Sequence, residues 1–269
     1  MATPLSTADA MPFSISPDPF MLYQTASIKT ALHKVKYVIE RRQGLTVILG
    51  DVGMGKSSLL RYINMQYRDR EDVLSAYIPS PNFPTDFAFL KGITGDFGLP
   101  SRRSMVAQEQ ELRAFLTSTY TEGKTAVLFI DEAQRLSGKQ LELIRVILNI
   151  ETHKAKLVQI VMAAQLELRD KLRDESKKAL RSRIIYPSHL STLTLLETRE
   201  MINFRCDQAG IPNPFTVETV EAIYNAAQGV PREILKVAAA AYDLAQMRGV
   251  TQIPPEAIPV AVQEMGIYE

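Results

Sequence analysis

The chain is poor in the residues that build cross-links and metal centres. It has one cysteine, Cys206, so an internal disulfide is excluded and a thiolate metal cluster is not expected. Cys206 lies in a helical stretch and reads as a packed thiol, in keeping with a reducing compartment. The three histidines, His33, His153 and His189, are scattered and show no ligand spacing. Net charge is only +1, so no excess of either sign draws the whole chain to nucleic acid or to a membrane surface. A nucleic-acid contact has to come from a local patch. The N-terminus has no basic stretch followed by an apolar run, so it does not read as a signal peptide. No stretch approaches the roughly 18 apolar residues that a membrane span needs. The expectation is a soluble, cytoplasmic protein with no membrane partner.

What is present suits a globular protein. The 269 residues, 46% hydrophobic and 23% charged, are enough for one large domain or two modest ones. Residues 1–11 are small and polar and read as mobile. Pro12, Pro17 and Pro19 then impose an extended segment, because proline fixes φ and biases the residue before it away from helix. Aromatic residues in that segment imply that it packs down. From Ser27 onward, short apolar runs alternate with helical periodicity. Strands are expected at 45–49, 73–78, 126–130 and 157–162, and helices at 27–43, 56–67, 85–97, 107–119 and 138–149. Such alternation implies crossover units and a parallel sheet with helices on both faces, an α/β fold. Beyond about Leu196 the strand signals stop and four helical stretches follow, at 197–209, 217–227, 232–248 and 255–266. The expected organisation is an N-terminal extended segment (1–24), an α/β nucleotide-binding domain (25–195) and a small all-helical lid (196–269).

Gly50-Asp51-Val52-Gly53-Met54-Gly55-Lys56-Ser57 has the pattern G-x-x-x-x-G-K-[ST], between an expected strand and an expected helix. Glycines let the backbone curl so that several N–H groups face one anion, and the helix adds its positive end. Lys56 suits the β- and γ-phosphates of ATP, the Ser57 hydroxyl suits Mg²⁺, and Ser58 completes the nucleotide-binding run. Ala126–Ile130 is followed by Asp131-Glu132. A buried strand would set both carboxylates at its C-terminal end, where α/β sheets bind ligands. Asp131 suits Mg²⁺, directly or through water. Glu132 suits a general base that polarises an attacking water.

These residues resemble a known group. Asp131-Glu132-Ala133-Gln134 looks like the DEAQ-type Walker B of ExeA/GspA-like AAA+ ATPases. The Pro12-Phe13…Pro17-Asp18-Pro19…Leu22-Tyr23 run, Met162–Leu168 and Gly229-Val230-Pro231-Arg232 resemble that group's opening segment, strand end and GxPR turn. The resemblance runs from about Pro12 to Tyr242. It implies an AAA+ P-loop fold and a Mg²⁺-dependent ATPase stimulated by oligomerisation. It also implies sensor-1 and sensor-2 roles for Gln165 and Arg232, and an arginine finger acting on a neighbouring subunit at Arg183, with Arg181 as the alternative. Phe20 and Tyr23, in the segment before the first helix, are the candidates for the adenine pocket.

Within the group the chain looks most like the TnsC/TniB/MuB-type regulators of DNA transposition, because it shows the ATPase core and lid with no membrane span or peptidoglycan-binding region after them. That resemblance implies a hexamer-like ring or filament on double-stranded DNA, with transposase and target-selector partners. Thr85, Arg102 and Arg103, in short loops beside the 85–97 helix, are the candidate phosphate contacts. An ExeA/GspA-like role in secretion-system assembly is the alternative. A replication-initiator or helicase-loader role comes last.

Overall fold

In the computed structural model, which describes residues 11–266, the apolar runs form one parallel sheet. Its strands are β1 (Leu45–Leu49), β2 (Val73–Ile78), β3 (Thr125–Ile130), β4 (Val158–Ala164) and β5 (Ser188–His189), in the order β2-β3-β4-β1-β5. All four pairings are parallel. β3 and β4 are covered on both faces, which explains why they read as continuous apolar runs and do not alternate. α1 (Ala26–Glu40) leads into β1, and α2 (Lys56–Arg68) connects β1 to β2. α3 (Asp86–Asp96) and α4 (Met105–Thr121) connect β2 to β3, and α5 (Gly138–Leu148) connects β3 to β4. α6 (Leu166–Arg173) and α7 (Lys178–Arg181) follow β4. The expected α/β fold, a parallel sheet flanked by helices and followed by a helical C-terminal region, is what the chain adopts.

Three details differ from the sequence reading. β4 runs two residues past Met162, because Ala163 and Ala164 pair with Ile48 and Leu49 of β1. β5 is two residues long, too short to leave a periodic signal. The charged stretch after Gln165 forms the short helix α6, whose buried side is only Leu168 and Leu172. Residues 1–10, most of the stretch read as mobile, and residues 267–269 lie outside the described residues.

By contacts the chain forms two units. One holds residues 26–52 and 56–190; the other holds residues 11–25, Gly53–Gly55 and 191–266. The helices of the second unit are α8 (Leu195–Ala209), α9 (Val217–Ala227), α10 (Pro231–Met247) and α11 (Ala257–Glu264). α8 starts with a reciprocal cap between Thr194 and Glu197 and stops at Gly210, whose φ of 68° is left-handed. Phe13 is part of this unit's core, edge-on to Phe215 and Tyr242 at centroid distances of 5.4 and 5.7 Å. Gly229 is irreplaceable on steric grounds. A Cβ there would stand 2.4 Å from the Leu193 carbonyl oxygen, and φ is 72°.

Candidate active site

The phosphate loop starts where β1 ends. The Gly50 N–H donates to the Ala164 carbonyl of β4 at 3.3 Å, which ties the loop's first residue to the neighbouring strand. Gly53 and Gly55 have φ of 83° and 82°, values that a side chain disfavours. Helix α2 starts at Lys56, so its N-terminus opens directly onto the loop. Lys56 is 6% exposed, low for a cation. Its ammonium donates to the carbonyls of Gly50 (2.9 Å) and Asp51 (2.7 Å), which hold it inside the loop's curl. Asp51 and Val52 are exposed, Met54 is buried, and Ser57 and Ser58 are half-buried.

The acidic pair stands at the end of β3. Strand order places β4 between β3 and β1, so the two strand ends are separated by two strand spacings, about 10 Å. Side chains from both reach into that gap. Asp131 is 4% exposed and within hydrogen-bonding reach of Ser57. It accepts from the Glu132 N–H at 2.9 Å and from the Tyr77 hydroxyl at 3.4 Å. Burial raises the Asp131 pKa, and the Glu132 charge adds to this; the hydrogen bonds from Ser57, the Glu132 N–H and Tyr77 work against it. Glu132 takes a left-handed backbone conformation, φ 51° and ψ 36°, costly for a residue with a Cβ. Gln165 caps the N-terminus of α6 through its backbone and makes no side-chain cap bond. Lys56, Ser57, Asp131, Glu132 and Gln165 thus come together along the C-terminal edge of β3, β4 and β1. A buried carboxylate beside a hydroxyl is an oxygen pair that fits Mg²⁺, and a cation there would offset the cost of Asp131's burial.

The other candidates are spread more widely. Arg183 donates to the Ala179 carbonyl and to Asn149 Oδ1 (3.0 Å); Arg181 donates to the Leu172 and Arg173 carbonyls, both at 3.0 Å. The Arg232 N–H donates to the Gly53 carbonyl at 3.1 Å. Phe20 is 70% exposed, whereas the Tyr23 hydroxyl donates to Glu200, which together with burial pushes its pKa up to about 12. Thr85 is the N-cap of α3, accepting from the Ala88 N–H. Arg102 forms a forked ion pair with Glu111, at 2.9 and 2.7 Å, while Arg103 is exposed.

Sequence reasoning missed several groups. Gln134 contacts both Glu132 and Gln165, and Tyr77 stands between Asp131 and Arg61. Tyr77 is the next-to-last residue of β2, the neighbour of β3, so strand order was the signal that would have found it. Buried Gln108 and Gln140 brace the loops beside α3. Gln108 accepts from the Arg102 N–H and donates to the Pro100 carbonyl, and Gln140 donates to the Phe83 carbonyl.

Residues 39–172, from the end of α1 to α6, match the AAA domain family. That stretch is similar in sequence to an AAA domain. The chain's match to the general secretion pathway protein A of Aeromonas hydrophila is 31% identical over 257 residues, covering 94% of this chain and 46% of that protein. The chain therefore spans about half the length of that relative. The ORC2 protein of Aeropyrum pernix, solved in ADPNP–ADP complexes, superposes with a TM-score of 0.73 at 18% identity, over 97% of this chain and 72% of that one. The ORC1 protein of the same organism, solved in complex with DNA, gives 0.69 at 16% identity, over 94% and 69%. These structures share the fold of the AAA domain and its helical neighbour. With the family match they show the fold of an AAA domain, and the relative supports the ExeA/GspA-like resemblance.

Proposed function

We propose that this chain binds Mg·ATP at the Lys56 loop and hydrolyses it to ADP and phosphate as a self-assembling ATPase. One observation carries the reading: Ser57 and Asp131, from opposite sides of β4, meet at the mouth of the loop that holds Lys56, with Glu132 next in the chain. In this reading the loop N–H groups and Lys56 bind the phosphates, and Glu132 orients and deprotonates the attacking water. Ser57 and Asp131 would hold Mg²⁺, which would supply positive charge against the phosphates. Gln165 lies at the strand end between them, suited to sense the γ-phosphate, and Arg232 bonds the loop tip at Gly53. Arg181 spends its guanidinium on the last carbonyls of α6, a capping role. Arg183 is likewise bonded within its own chain, to the Ala179 carbonyl and Asn149; it is kept as the finger for a neighbouring subunit on the resemblance, with Arg181 as the alternative. Phe20 stands exposed to stack on a base, while Tyr23 is committed to Glu200. Phosphate release by wild type, Lys56→Ala and Arg183→Ala tests this. Lys56→Ala is expected to lose nucleotide binding. Arg183→Ala is expected to lose turnover and to regain part of it when mixed with Lys56→Ala subunits. Full turnover by Lys56→Ala would sink the reading.

For the purpose of assembly, the relation to general secretion pathway protein A supports a role in building a secretion apparatus. The second reading, assembly on double-stranded DNA with a transposase and a target selector, rests on the two braced loops beside α3. Gln108 and Gln140 hold them in fixed shape, with Arg103 exposed. Arg102 contributes less than its charge implies, because Glu111 neutralises it. Electron microscopy and mobility shifts on plain duplex DNA, with and without ATP, separate the two. ATP-dependent rings or filaments that weaken in Arg103→Ala favour DNA. A protein that binds ATP and ignores duplex at low salt favours secretion.

A further inference from the structure

Glu132 occupies the left-handed region at the end of β3, and the chain then turns at once. The Ala133–Arg135 turn is closed by Arg135 N–H to the Glu132 carbonyl (2.9 Å) and Leu136 N–H to the Ala133 carbonyl (3.2 Å). This turn brings Gln134 back over the strand end. Its amide has two different partners. Nε2 donates to Glu132 Oε2 at 2.6 Å, and Oε1 accepts from the Gln165 N–H at 3.1 Å. Chemistry fixes the amide's orientation: a carboxylate can only accept and a backbone N–H can only donate, so the flipped amide would lose both bonds. The backbone carbonyl of Gln134 is held as well, by the ammonium of Lys171 on α6 at 2.5 Å.

We infer that Gln134 is a positioning residue that fixes the Glu132 carboxylate and couples it to the end of β4 that carries Gln165. The inference rests on Glu132 being the base, as proposed above. A single amide links the group proposed to act on water to the backbone of Gln165, the residue proposed to sense the γ-phosphate. A shift at Gln165 is transmitted to Glu132 through two hydrogen bonds, of 3.1 and 2.6 Å. Glu132 has a strained backbone and a flexible side chain, and the Gln134 amide gives that side chain one defined direction.

Two variants separate the halves of the amide. Gln134→Met keeps the volume and removes both bonds. Gln134→Glu keeps an acceptor for the Gln165 N–H and sets a second carboxylate against Glu132. Turnover and ATP affinity are measured separately for both, with thermal unfolding confirming that each is folded. The expected result is a kcat loss of about tenfold or more in each variant, with the Kd for ATP within about twofold of wild type. Adding Gln134→Met to Glu132→Gln is expected to cost nothing further, because the residue to be positioned is gone. Wild-type turnover in either single variant overturns the inference. So does a loss that multiplies in the double variant, or a loss confined to ATP affinity. Glu132→Gln alone reports on the underlying reading. If it hydrolyses ATP as wild type does, Glu132 is not the base and the positioning role falls with it. If it is inactive while both Gln134 variants are active, only the coupling is wrong.

Discussion

The two units handle buried polar groups differently. In the α/β unit, the buried residues that brace loops are neutral amides, and the buried charges belong to the site. Gln159 accepts from the Gly44 N–H at 2.7 Å, and Gln108 and Gln140 secure the loops beside α3. Lys56 and Asp131, at 6% and 4% exposure, are the charged groups kept inside. Among the described residues of the helical unit the buried charge is Arg205, on α8, and its partners there are backbone carbonyls of the N-terminal segment, Ser14 at 3.0 Å and Pro12 at 3.4 Å. Burial pushes the Arg205 pKa down to about 10, with Asp18 opposing. An amide brace costs little to desolvate and does not change with pH, whereas a buried guanidinium is costly and persists because carbonyls satisfy part of it. The α/β unit concentrates its electrostatic cost where ATP chemistry is proposed; the helical unit uses it to hold a strap.

If that contrast is right, mutations sort by unit. The largest effect belongs to Glu132→Gln. Removing a general base is expected to lower turnover by roughly 10²–10⁴-fold with ATP binding kept. Its unfolding midpoint should remain that of wild type, since Glu132 is only half-buried. A change in midpoint comparable to that of a core mutation would break the separation between chemistry and stability.

Next comes Phe13→Ala, which empties a site 2% exposed and ringed by Phe215 and Tyr242. Its expected cost is about 3–5 kcal/mol, the range for truncating a buried phenylalanine. Chemical denaturation followed separately in the two units should place the loss in the helices, with little change in the sheet. A third variant probes the amide braces. Gln108→Ala leaves the Arg102 N–H and the Pro100 carbonyl without their partner, an expected cost of about 1–3 kcal/mol, measured as a shift in urea midpoint at constant slope. No shift would mean that water replaces the amide without loss.

The contrast also explains what could be read in the sequence. The strands at 73–78 and 45–49 and the loop at 50–57 were legible because local rules dictate them: apolar runs, β-branched residues, glycines before a helix. Ser57 and Asp131 were each legible from a motif at a strand end, while the strand order that brings them together shows only in the fold. The role of Gln134 was not legible, because it depends on a turn that starts at a left-handed glutamate, and nothing in the composition predicts that. The strap was half legible. Three prolines implied an extended segment and its aromatics implied packing, but Phe13 finds Phe215 and Tyr242 some two hundred residues on, with no local signal to mark them. Arg205 was invisible for the same reason: its partners are carbonyls, which every residue carries.

Cys206 gives the smallest and most discriminating prediction. It lies on α8 beside Arg205, 1% exposed, and burial raises its thiol pKa to about 11, with Asp207 adding to the rise. Between pH 9 and about 11 the folded chain keeps a proton that the unfolded chain has lost. Stability therefore falls as pH rises through that window, and Cys206→Ala removes this contribution. Arg205 acts in the opposite direction from about pH 10 upward, because its folded pKa is depressed. The clean comparison is therefore wild type against Cys206→Ala between pH 9 and 10. At pH 8 the thiol should react with an alkylating reagent only when the helical unit opens, so its labelling rate reports on that unit alone. Phe13→Ala should speed the labelling strongly and Glu132→Gln should leave it unchanged. Equal acceleration by both would mean that the units open together, and the division of labour between them would not hold.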